Sequence, residues 1–318
     1  MQNTSLDRSG IFPSKELFIM PNRSKVRNGV SYVLAFFLSL FVTGLAVLLV
    51  LQNTVLSERF LQRQVDRSGY TANVIERIEN TFISYGMSSG FDEAFFSSVL
   101  DEDTVREDIR DVMSSIYTGK PRDASTDEFR TMLYEKLIDN VTERGFTVTE
   151  ELEQALDQLV DYCAVTYRNE LRFPMASAVA SLLNKMKNPV LLGIGFTGAL
   201  SLFVFFVLFS IHPRKSSVVR NVIYALSGSF LMLFVPAGLL LLSGRIERLA
   251  ITSKPLYYLV VTELRQTLYG FLLACGILVV VIAGLGIWYH FMVRGKSHSY
   301  ESAFRVDRFQ ENTGASEK

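Results

Sequence analysis

The stretch "SYVLAFFLSLFVTGLAVLLVLQNTVLSERFLQRQVDRSGY" (residues 31–70) passes from pure hydrocarbon to an Arg-studded amphipathic segment with hardly a spacer. Its first half, residues 31–51, carries no Asp, Glu, Lys or Arg and holds 14 Leu, Val and Phe. Those side chains are worth roughly −6 kcal/mol together at the centre of a bilayer. A helix of that length covers the ~30 Å hydrocarbon core. A buried helix of a soluble protein keeps a polar face, and this stretch has none. The expectation is therefore a membrane span.

Working outward, three more charge-free runs appear at 189–211, 221–244 and 270–289. Charged residues make up 20% of the 318-residue chain, below the ~25% of soluble domains, and they are segregated between these runs. The sequence predicts an all-α, four-transmembrane-helix protein with spans at 31–51, 189–211, 221–244 and 270–292. The first span reads as a retained anchor. A polar segment of 30 residues precedes it, and "LLVLQNT" offers no small-residue cleavage pair.

Arg23, Lys25 and Arg27 precede the first span, Arg214, Lys215 and Arg220 sit in the loop 212–220, and Arg294 and Lys296 follow the fourth span. All three groups fall on one side, which the positive-inside bias makes cytoplasmic. Residues 1–30 are then a cytoplasmic arm and 293–318 a cytoplasmic disordered tail. Residues 52–188 become an extracytoplasmic domain and 245–269 an extracytoplasmic connector.

Residues 52–188 carry 15 Lys/Arg against 24 Asp/Glu, a net of −9. Helical punctuation runs throughout: Ser57, Asp92, Asp101 and Thr149 stand at helix starts, and Gly69, Gly86, Gly119 and Gly145 at ends. Val74, Ile78 and Phe82 recur at helical spacing, as do Leu152, Leu156, Leu159, Cys163, Tyr167 and Leu171. The domain reads as a helical bundle inserted between spans one and two. Cys163 and Cys275 fall in different compartments and predict no disulfide.

Chemistry is sparse. The span interiors hold no ionisable residue, the usual mark of a proton relay. No zinc motif, phosphate loop, dinucleotide fingerprint or nucleic-acid signature is visible, so no cofactor, metal or nucleic acid is expected. "SGS" (227–229) reads as small residues that let helices approach, in preference to a serine nucleophile without a base. In "LDEDTVREDIRD" (100–111), Asp101, Asp103, Asp108 and Asp111 offer oxygen ligands for a cation, but helix capping explains the same acids.

Arg59, Arg63 and Arg67 lie at i, i+4 and i+8 and form one helical stripe just beyond the first span. Guanidinium matches phosphate geometry, so lipid or teichoic-type phosphate is one reading. Pairing with acids of the same domain is the other. Arg245 and Arg248 make the second connector basic beneath an acidic domain, which predicts docking between them.

"LSERFLQRQVDRSGYTANVIERIENTF" (56–82), directly after a first span, resembles uncharacterised multi-pass membrane proteins of Gram-positive bacteria. Phe60, Gln64, Ser68, Gly69 and Tyr70 are the matching positions. The resemblance implies a cell-membrane location and no catalytic activity. The expected partners are the bilayer and a membrane or envelope protein. The expected function is a non-enzymatic scaffold, sensor or accessory subunit. The alternatives are a transport accessory subunit or small-solute permease using Thr197, Ser201 and Ser227, and an enzyme acting on a lipid-linked substrate.

Overall fold

The computed structural model describes the backbone of residues 23–87, 90–211 and 215–314, and side-chain surroundings over 29–87, 90–211 and 215–294. Ten α-helices and one short 3-10 turn account for the regular structure, and no strand occurs among the described residues. Four helices are long and apolar enough to cross a membrane. They are α1 (Arg23–Asn53), α8 (Ala176–Ile211), α9 (Lys215–Leu242) and α10 (Lys254–Gly314).

The spans pack in a row, in which α1 lies against both α8 and α9, and α9 lies against α10. The first hydrophobic stretch is thus an inner helix of the set. Ala35 and Leu38 of α1 share a buried cluster with Val204 and Leu208 of α8 and Ala225 of α9. Of the small residues expected to permit close approach, Gly228 does so directly: a Cβ there would stand 2.7 Å from Ser39 Oγ.

Between α1 and α8 lie α2 (Glu58–Ser68), α3 (Tyr70–Gly86), α4 (Glu93–Val99), α5 (Glu102–Tyr117), α6 (Asp127–Glu143) and α7 (Glu150–Leu171). Local chemistry explains most boundaries. Asp92 accepts from Phe95 N–H at 3.1 Å and Asp101 from Thr104 N–H at 2.9 Å, so both aspartates cap helices. Thr149 caps α7, while Ser57 holds its cap position without a side-chain bond. Gly69 sits at φ 65°, a left-handed joint that ends α2 and lets α3 start at the next residue.

The apolar stripes of these helices converge on one core. Phe82 and Ile78 of α3, Phe96 of α4, Ile109 of α5, Leu133 of α6 and Tyr167 of α7 are all buried in it. The expected α7 seam is buried from Leu156 to Leu171, with Leu152 packed at its margin. A second cluster joins this unit to the spans, combining Leu56, Ile116, Tyr117, Ala180, Leu183 and Val190.

Two segments differ from expectation. Pro189 was the expected start of span two, yet α8 runs from Ala176 to Ile211 with Pro189 inside it. Ala180 and Leu183, buried against Ile116 and Tyr117, hold the earlier turns in helical register. Likewise the chain after 296, expected as a disordered tail, continues helically to Gly314. Residues 1–22, most of the expected cytoplasmic arm, lie outside the described residues, as do 315–318.

Candidate functional site

The most unusual chemistry lies where the six-helix unit meets the spans. Pro255 stands in the first turn of α10, as its fixed φ favours. From there α10 packs first against α3 and α2, then against α1 and α9. Leu259 is 2% exposed and belongs to the same core as Val65, Tyr70 and Val74. Three turns on, a Cβ at Gly270 would lie 3.3 Å from Val50 Cγ1 of α1 and 3.7 Å from Cγ2 of Thr54 just beyond it. Leu259, Glu263, Thr267 and Gly270 recur at steps of four, four and three, one inward stripe on α10.

Glu263 occupies the polar interval in that stripe. It lies seven residues before the charge-free run, about 10 Å along the helix. Its Oε2 is buried and has no hydrogen-bond partner among the described residues. Burial alone pushes its carboxyl up to about 7. Other buried oxygens on the joining helices are equally unpartnered: Gln52 Oε1 on α1, Gln64 Oε1 on α2 and Thr267 Oγ1. Tyr117, at the end of α5, donates its hydroxyl to the Val55 carbonyl at 3.0 Å, and its own carbonyl accepts from Lys187 Nζ at 2.7 Å. Burial raises the Tyr117 phenol, with the charges of Glu263 and Glu58 adding to it.

The arginine stripe is present as expected. Arg59, Arg63 and Arg67 are all exposed on α2. None makes an ion pair among the described residues, whereas Arg106 and Arg110 of α5 both reach Asp66. Arg63 donates Nε–H to the Arg59 carbonyl at 3.2 Å and lies over the Phe60 ring at 5.8 Å. That arrangement holds the guanidinium along the helix and leaves its outer edge to solvent.

Arg245 and Arg248 are exposed, and neither is ion-paired among the described residues. Contacts between the connector region and the helical unit come from other residues. Lys254 approaches Glu76 at 3.6 Å, and Arg77 bridges Ser253 at 3.1 Å and Glu170 at 3.0 Å. Arg265 pairs with Glu247, whose carbonyl accepts from Tyr257, which folds the connector onto α10 itself.

The acids of 100–111 are dispersed. Asp101 caps α5, Asp103 pairs with Arg106 at 2.6 Å, and Asp108 accepts from the Tyr167 hydroxyl at 2.5 Å. Among the described residues no group of three or more His, Cys, Asp or Glu is gathered as a metal site would need. In "SGS", Ser229 is fully buried and donates to the Ser39 carbonyl at 2.9 Å. Thr197 donates to the Gly193 carbonyl at 2.7 Å, while Ser201 Oγ is buried without a partner. Cys163 and Cys275 are both free and buried.

Reasoning from sequence missed Glu263, because a search of span interiors stops short of it. The signal was available. Glu263 is an acid in phase with Leu259 on the apolar side of a helix that enters a span. Comparison with protein-family models, with curated proteins and with solved structures finds no match to this chain.

Proposed function

We propose that the chain is a non-enzymatic, multi-pass membrane interaction protein. Its six-helix unit lies outside the cytoplasm and binds an envelope protein or a phosphate-bearing envelope ligand. The spans anchor that unit and relay its occupancy. One observation carries the reading above all: Leu259 is buried in the unit's core on the same unbroken helix that contains the fourth charge-free run. A domain merely tethered by a linker leaves no such residue in common with its anchor.

Arg59, Arg63 and Arg67 supply the contact surface for phosphate. They follow the first span closely, are exposed, and are not matched by acids of their own unit. Guanidinium forks pair bidentately with phosphate oxygens, so the stripe suits a ligand that rises from the headgroup layer. Arg245 and Arg248 extend basic surface at the opposite connector.

The reading is tested by purification in mild detergent with and without Arg59→Gln, Arg63→Gln and Arg67→Gln combined. A stoichiometric partner or bound phosphate that the triple variant loses supports it. Solute uptake by the pure protein in liposomes points instead to the permease reading. Sidedness is read from intact cells labelled at Lys120→Cys and Ser216→Cys. The native cysteines stay silent there, since both are buried. Labelling at 216 but not 120 reverses the proposed orientation.

A further inference from the structure

We propose that Glu263 is a proton-binding site that latches α10 to the helical unit, docked when its carboxyl is neutral and loosened when it is ionised.

The argument begins with what surrounds the carboxyl. Its position in the inward stripe is fixed on both sides. Leu259 is locked in the unit's core, and Gly270 is pressed against Val50 of α1 and Thr54 just after it. The half-buried side chain therefore stays at the joint, and full hydration of its shielded oxygen requires α10 to rotate or withdraw. Oε2 is shielded and unpartnered. A neutral carboxylic acid tolerates that setting, whereas a carboxylate there is only partly hydrated and meets no counter-charge among the described residues.

The elements packed on this part of α10 bring it no compensating charge among the described residues. From α2, Glu58 is an acid and Gln64 is neutral; the three arginines of that helix are exposed. From α5, Tyr117 presents a phenol whose proton is engaged with Val55. From α8, Lys187 is committed to the Tyr117 carbonyl. From α3, Glu76 and Arg77 meet Lys254 and Ser253, nine residues up the helix and so about 13 Å away. The end of α1 offers Gln52 and Thr54, and the facing end of α9, 237–242, is apolar. On α10 itself Arg265 is paired with Glu247. Among the described residues no cation offsets Glu263, in agreement with its elevation by burial alone.

The sign follows. A glutamate held above its ordinary value binds its proton more tightly when α10 is docked than when it is released. The docked state is therefore fully favoured below the ordinary glutamate range, and the advantage is lost as pH rises to about 7. Allowing for water reaching a half-buried group, docking should weaken roughly 10- to 100-fold across that window. The pH of the compartment bathing the joint then sets how firmly the unit and the fourth span move together. This goes beyond ligand binding by the unit and does not depend on it.

The test is amide hydrogen exchange on the full chain in lipid nanodiscs, at about pH 5 and about pH 8, corrected for intrinsic exchange rates. Residues 58–68 and 254–267 should lose protection at least ~10-fold at the higher pH. Glu263→Gln, which is permanently neutral, should keep the low-pH protection at both. Equal protection of the wild type at both pH values overturns the latch, and so does an unchanged pH response in Glu263→Gln. If that variant fails to fold, the infrared carboxylic-acid band of the wild type decides. A protonated carboxyl that titrates near neutrality supports the assignment, and none titrating above the ordinary carboxylate range overturns it.

Discussion

Ser229 of α9 donates its hydroxyl to the carbonyl of Ser39 on α1 at 2.9 Å, and Gly228 beside it leaves no room for a Cβ. This contact joins the two inner helices of the row. Polar bonds between membrane helices are worth about 0.6 kcal/mol on average, so Ser229→Ala should cost little. Gly228→Leu forces the backbones apart and should cost about 1–3 kcal/mol. Thermal unfolding in detergent should rank Gly228→Leu well below Ser229→Ala; the reverse order refutes the packing.

Gly86 ends α3 against the ring of Phe96. An added Cβ would lie 1.9 Å from Phe96 Cε2, and that ring is fully buried among Phe82, Phe91 and Phe95. Helix propensity favours alanine over glycine by up to ~1 kcal/mol, but overpacking costs about 1–3 kcal/mol and the ring has nowhere to go. Gly86→Ala should therefore lower the melting temperature of the full chain, despite being a substitution that usually strengthens helices.

Leu259 and Lys254 make contacts of very different value. Leu259→Ala opens a cavity in the shared core and should cost about 2–4 kcal/mol. Lys254→Gln removes a pair with Glu76 whose side chains are each 61% exposed, and should cost under ~1 kcal/mol. Limited proteolysis at the connector, residues 245–253, reads both. Cleavage should accelerate strongly in the first variant and hardly in the second.

Asp108 and Tyr167 give a pH-dependent prediction. Burial raises the Asp108 carboxyl, while the Tyr167 hydroxyl bond pulls it back and the acids Asp111, Glu128 and Glu107 push it up again. Because the net shift is upward, its contribution to stability is full below the ordinary aspartate range and lost as pH rises through the raised value. Tyr167→Phe removes the donor and raises the carboxyl further. The variant should be destabilised by about 1–2 kcal/mol at neutral pH and by less in acid. Thermal scans at about pH 3 and about pH 8 check this. Equal deficits at both refute it.

Hydrophobic period made much of this fold legible. Charge-free runs located the four long helices, because a lipid-facing helix cannot hide a charged residue. Asp92, Asp101, Thr149 and Gly69 marked helix ends because their side chains or φ values act locally. Pro189 misled for the opposite reason: burial of Ala180 and Leu183 outweighs the local tendency of proline to begin a helix. The candidate site was the hardest part to read. Arg59, Arg63 and Arg67 announce themselves by spacing, but their lack of acid partners depends on Asp66 turning toward α5. Glu263 looks like any surface glutamate until Val50, Thr54 and Tyr117 are brought beside its helix by contacts over a hundred residues away in the chain.

The 61 residues of α10 contain no proline after Pro255, unlike α8 and α9, which carry Pro189 and Pro236 within their spans. A ladder of backbone hydrogen bonds without such a break transmits twist along its axis, and swivelling within it is resisted. Any rotation imposed at the Leu259 end is carried along the same helix toward Gly314. Paired spin labels at the two ends would register that shared torsion as one correlated motion.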